Sequence, residues 1–306
     1  MGLLYGAVLS WTLGVDALLW APRSGAFWPR GRARSALRST RGGAAPAAPE
    51  VLEWSGDDVV APVSEALAGV FRVAHCEGGD AAYVVARGGE ESGGGCVVVG
   101  VPAAEALDEI KRTCGDVRTW FLPHRVADGA AQAAVRAAFP GARRVVHRMD
   151  AGRGAYRHDD DVLLSGAGKR AKFRVADAGK TTTRRRDDGP WELAPGLRAM
   201  WVPGPSQGAC VLRVETAAGA AALFSGAAAG YDARVGAVSP FALEDDHSAA
   251  EHATSLRALA GADEAWDFTF LLPSRGAAVE FPDASAARAA LRAAAAQAEA
   301  MAERGA

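Results

Sequence analysis

Residues 119–151 read TWFLPHRVADGAAQAAVRAAFPGARRVVHRMDA, and their punctuation sets how the rest of the chain is understood. An apolar strand runs into Pro123 and His124, a polar turn follows, and an Ala-rich helix leads to a second strand. His124 and Asp128 stand four apart on the turn, with the donor types that a metal or proton transfer would use.

Working outward, the same alternation continues. Segments 69–75, 81–88 and 93–101 are predicted strands, the third more buried than the others. Residues 102–115 make a helix with Pro at its start and Gly past its end, and 118–124 is the strand that carries His124. A helix over 128–141 and a strand over 142–148 complete the group. The stretch 150–189, with RHDDD and TTTRRRDDG, is polar enough to be read as a solvated loop. Strands at 196–204, 209–216 and 220–227 follow, then helices at 246–261 and 283–304. Two groups of strands, each followed by helices, predict two sheets packed face to face with helices outside.

Charge is unevenly placed. Of 34 basic and 36 acidic side chains, six Arg and one Asp fall in the first 49 residues, which leaves 28 and 35 for the remainder and a net of −7 there. An acidic body is a poor partner for phosphate backbones, so no nucleic-acid partner is expected. The first part reads as an address. Residues 1–26 resemble a signal peptide: an apolar run followed by small residues at Ser24 and Ala26. Residues 27–50 are rich in Arg, Ser, Ala and Pro, as in a disordered transit peptide. Together they suit import into a complex plastid, with secretion or a mitochondrion as alternatives, and no membrane contact after processing. The folded part is then expected at 51–282, followed by an Ala-rich C-terminal helix at 283–306.

Four cysteines, Cys76, Cys96, Cys114 and Cys210, form no CxxC pair, which argues against a zinc ribbon or a disulfide framework. Most of them read as small buried apolar residues, with a free reactive thiol among them as the alternative. SGAGKR at 165–170 lacks the first Gly of a phosphate-binding loop and carries Arg170 in place of its Ser or Thr. HDDD at 158–161 reads as solvated carboxylates, and His247 and His252, five apart, are poorly placed for shared ligation.

Five segments, in order, resemble the metallo-β-lactamase superfamily. CVVVGVP (96–102) falls where that family has a strand ending in Asp, and WFLPHRVADG (120–129) falls at its Thr-His-x-His-x-Asp-His turn. LAPGLRAMWVPGPSQGACVL (193–212) resembles the segment containing PGHTxG, ALFSGAA (222–228) resembles LFTGDA, and FLLPSRG (270–276) resembles VLPGHG. The chain is also similar to a branch from photosynthetic lineages in which FLTHRDDVAD precedes FGAxRIIHR. The resemblance implies a four-layer αβ/βα sandwich of the α/β (α+β) class. It also implies a groove in which one or two metals activate water.

At the implied ligand positions His124 and Asp128 remain. Val126, Gly129, Pro205, Ala227 and Arg275 occupy the others, and Gly100 replaces the early Asp. If the photosynthetic branch is the better guide, the turn has lost two residues after Arg125, and the equivalence of Asp128 shifts. A catalytic zinc keeps three protein ligands, so no cofactor is expected, with zinc or iron only if the site is partly retained. The expected function is therefore a catalytically silent binding or structural module in a plastid, its partner an unknown small molecule or protein. The alternative is a hydrolase of esters, thioesters or phosphoesters, with a remodelled site around His124, Asp128 and Arg275. Arg275 with Ser206 and Gln207 would form an anion groove. His124 also reads as hydrogen-bonded structure, Asp128 as a helix cap, and His147 as a structural strand residue.

Overall fold

The computed structural model describes residues 48–305 except 54–58, 74–80, 88–94, 126–128, 152–161, 165–189 and 243–247. The chain divides into Met1–Ala45 and Pro46–Ala306, and every described residue lies in the second unit. The leader, Val126, Asp128, Cys76, HDDD, SGAGKR and His247 fall outside the described residues.

One seven-stranded sheet runs in sequence order: β2 (Val60–Pro62), β3 (Val70–Val73), β4 (Ala82–Arg87), β5 (Gly95–Val99), β6 (Val117–Leu122), β7 (Arg143–His147) and β8 (Val162–Leu164). From β5 to β8 the pairs are parallel. Parallel neighbours need a crossover, and helices α1 (Leu107–Cys114) and α2 (Gly129–Ala138) supply the first two. The second sheet combines β1 (Glu50–Val51), β9 (Trp191–Ala194), β10 (Leu197–Trp201), β11 (Cys210–Glu215), β12 (Ala221–Gly226), β15 (Phe270–Pro273) and β16 (Val279–Glu280). Its spatial order is β1-β16-β15-β12-β11-β10-β9. A small hairpin, β13 (Gly230–Asp232) with β14 (Ala237–Ser239), stands beside it. Helices α3 (Ala249–Ala260) and α4 (Ala284–Gly305) belong to the second half of the chain. Among the described residues no helix is long and apolar enough to cross a membrane.

The two-residue period of a strand sorts side chains between layers. Tyr83, Val85, Val97, Val99 and Phe121 of the first sheet meet Leu212, Phe224 and Leu272 of the second in a central core. Their neighbours Val84, Val98 and Trp120 turn outward onto Ile110 of α1 and Val135 of α2. In the second sheet Val211, Leu223 and Leu271 turn outward onto Leu256 of α3 and Leu291 of α4. Three apolar layers between four structural ones make the predicted αβ/βα sandwich. Strands covered on both faces read as continuous apolar runs, which is why CVVV shows no alternation.

One expectation needs correcting. The stretch 150–189 was expected to be a loop, yet Val162–Leu164 pairs in parallel with β7. Three apolar residues are too few to show a period, and the open edge of β7 decides their conformation.

Candidate functional site

The turns that follow β6, β7, β12 and β15, with the loop between β10 and β11, converge at one end of the sandwich. Backbone bonds fix them. Cys210 N donates to Pro123 O at 2.7 Å, Ser274 N donates to Gly226 O at 2.9 Å, and Ala81 N donates to Ser274 O at 2.7 Å. Gly226 sits at φ 58, and a Cβ there would lie 2.8 Å from Pro123 Cβ and 3.2 Å from His124 Cδ2. Only a residue without a side chain lets these turns touch.

His124 is buried, and both ring nitrogens are engaged. Nδ1 lies 3.0 Å from Arg125 O and Nε2 lies 3.1 Å from Ser274 Oγ. A carbonyl only accepts, so Nδ1 carries the proton. In the neutral ring the Ser274 hydroxyl then donates to the lone pair on Nε2.

Asp150, 6% exposed, is the centre of the network. Its Oδ2 accepts from Arg125 N at 3.0 Å and from the Ser206 hydroxyl, and its Oδ1 accepts from Gly208 N at 2.9 Å. Burial raises its carboxyl above the usual range. Hydrogen bonds from Ser206, Gly208 N and Arg125 N pull the other way, as does His124 when its ring carries a second proton. Nothing in the sequence reading singled out Asp150 or Ser274. The available signal was position: each stands just past the carboxyl end of a strand with at least one parallel neighbour, where ligand-binding groups of α/β sheets collect.

Beside this network His147, 1% exposed, stacks on Trp201, with ring centroids 5.3 Å apart and planes 9° apart. Trp201 Nε1 in turn donates to Gln207 O at 2.9 Å. Met149 N donates to His147 Nδ1 at 3.3 Å, which leaves the ring proton on Nε2, where it has no partner among the described residues. Burial first, and the Arg148 charge second, lower its pKa from 6.5 to about 4. Below pH 6.5 the unfolded chain takes up a proton that the folded ring refuses until about pH 4. Stability from this group is therefore complete above pH 6.5 and falls with pH towards 4, by about 3 kcal/mol at roughly 1.4 kcal/mol per pKa unit. Asp150 works in the opposite sense, because its raised pKa favours the folded state at low pH. Denaturant titrations of His147→Phe against the parent isolate the histidine: the stability difference should move by ~3 kcal/mol in favour of the variant between pH 7 and pH 4. An unchanged difference would remove the assignment.

The other sequence candidates fall as follows. Pro205, Ser206 and Gln207 lie between β10 and β11, with Ser206 buried on Asp150 and Gln207 exposed. Ala227 is buried just past β12, and Gly129 is the first residue of α2. Arg275 Nη1 donates to Ala242 O at 3.1 Å. His252 is fully buried in α3, with Nε2 bonded to Ala228 O at 2.7 Å. Ser206 and His124 thus enter one network through Arg125 and Asp150.

Zinc or iron would need three convergent donors with available lone pairs. Among the described residues no group of three or more His, Cys, Asp or Glu side chains could hold a metal ion. The His124 nitrogens and the Asp150 oxygens already bond to protein. Among the described residues this donor set does not fit a catalytic metal.

No family model and no curated protein matches the chain. Among solved structures it is similar to VMB-1 at pH 5.5, with a TM-score of 0.53 and 11% identity over 79% of this chain and 97% of that one. A Cronobacter sakazakii metallo-β-lactamase with a HARLDQ motif matches with a TM-score of 0.45 and 14% identity, over 85% of this chain and 94% of that one. ETHE1 from Myxococcus xanthus matches with a TM-score of 0.45 and 15% identity, over 74% of this chain and 84% of that one. With two helix-flanked sheets in this order, the chain has the metallo-β-lactamase fold.

Proposed function

We propose that this protein uses the fold as a binding or structural module and performs no metal-assisted hydrolysis. The observation that carries this reading is that the groove's own donors are already engaged by protein groups. The His124 lone pair and the Asp150 oxygens hold together turns from both sheets, and the resemblance places Val126, Gly129, Pro205, Ala227 and Arg275 where other ligands would stand. Arg is a permanent cation and repels a metal. The basic leader, without acids from 27 to 48, supports delivery to a plastid. A fluorescent tag at the C-terminus of the full chain tests that part, and a purely secretory or mitochondrial signal would overturn it.

Elemental analysis of the purified full chain, dialysed after incubation with zinc and with ferrous iron, should find well below one metal per chain. Retention near one per chain would contradict the proposal.

A second reading, a metal-free hydrolase of esters or thioesters, has one observation in its favour. Ser274 Oγ, His124 Nε2, His124 Nδ1 and Arg125 O form a relay of nucleophile, base and orienting group, with steps of 3.1 and 3.0 Å. Ser274 Oγ would attack the acyl carbon while its proton passes to Nε2. The alcohol or thiol would leave with that proton, and water would then release the acid from the acyl-serine. Any ester turnover by the chain should then fall ~100-fold or more in both Ser274→Ala and His124→Ala, and turnover that survives both changes comes from elsewhere.

A further inference from the structure

Cys96 stands at the start of β5 and Cys114 closes α1. Between them the chain passes Gly100, at the rim of the groove, and returns along the helix. Cys96 N donates to Asp116 O at 2.7 Å, and Gly115 turns at φ 73 immediately after Cys114. The Cys96 thiol is thereby laid against the Cys114 carbonyl oxygen, to which Sγ donates. The neighbouring Cys114 side chain holds Cys96 below the ordinary thiol range, and Cys96, with burial, pushes Cys114 above it. Cys96 is buried and Cys114 is half-buried, so one sulfur is reachable and its partner sits behind it. Cys210 differs, lying in the central core as a small apolar residue.

We propose that Cys96 and Cys114 form a dithiol–disulfide pair, closed by a low-molecular-weight disulfide such as oxidised glutathione. Cys114, the sulfur a small disulfide can reach, attacks as its thiolate. That form is minor because Cys96 and burial hold its proton, so the step is faster at alkaline pH. A mixed disulfide forms and one small thiol leaves. The Cys96 thiolate then attacks the Cys114 sulfur. The Cys96–Cys114 bond forms as the second small thiol departs. Two protein thiols lose two electrons, the small disulfide gains them, and the two protons leave on the released thiols. The bridge closes a loop that contains all of α1 and the rim at Gly100. It limits the unfolded chain more than the folded one.

The test incubates the full chain with oxidised glutathione, followed by intact mass, peptide mapping and thermal unfolding. The expected result is a mass lower by two hydrogens, a peptide joining Cys96 to Cys114, and a Tm higher by roughly 5–10 °C, all reversed by dithiothreitol. Cys114→Ser and Cys96→Ala should each lose both the cross-link and the Tm rise. A bridge to Cys76 or Cys210, glutathione adducts at both positions without a bridge, or a Tm rise that persists in Cys114→Ser would overturn the proposal.

Discussion

Asp150→Ala is expected to lower the unfolding free energy by about 3–5 kcal/mol in a urea titration. The carboxylate takes Arg125 N from the turn after β6, and the Ser206 hydroxyl and Gly208 N from the loop between β10 and β11. Those segments belong to opposite sheets, so one side chain joins the layers at the groove. Alanine strands two amides and a hydroxyl where water has little access. Asp150→Asn keeps one acceptor oxygen but points an NH2 group at a donor, so about 1–3 kcal/mol is expected. Ser206→Ala leaves both amide bonds in place and should cost about 1 kcal/mol. The order of the three is the signature of the clamp. An alanine variant within about 1 kcal/mol of the parent would mean that solvent substitutes for the carboxylate.

The layers were legible from local signals because local signals determine them. Val84 and Val85 face different cores for no other reason than strand period, and the helix at 283–304 is visible because Ala forms helices best; it is observed as Ala284–Gly305. The β8 strand was hidden because its pairing is supplied by β7 and not by its own three apolar residues. The site was the harder part. Asp150 bonds to a hydroxyl 56 residues ahead and to an amide 25 residues behind, and no spacing rule connects those positions. Ser274 meets His124 across 150 residues. Both pairings exist only once the sheets have closed on each other.

Backbone geometry at the groove's turns makes its own demands on residue type, and Gly204→Ala is expected to show this with the largest loss of all. A Cβ on Gly204 would lie 2.3 Å from His252 Cα and 2.6 Å from His252 N, at φ 141. The helix cannot withdraw cheaply. Ser248 N donates to Gly204 O at 2.9 Å, Ser255 Oγ to Pro203 O at 2.7 Å, and His252 is tied to Ala228 O. Relief by moving the loop instead would carry Ser206 and Gly208 away from Asp150. Either movement sacrifices several buried hydrogen bonds, so the cost should reach about 4 kcal/mol or more, a large share of the ~5–15 kcal/mol that holds a typical domain folded. Ala at Gly141, where an added Cβ meets nothing within 4 Å, should stay within about 0.5 kcal/mol of the parent. Denaturation of the two variants side by side checks the argument. Equal stabilities would show that α3 does not press on this loop. A collapse confined to Gly204→Ala would show that packing against α3 is enough to require glycine beside Pro205, whatever the groove binds.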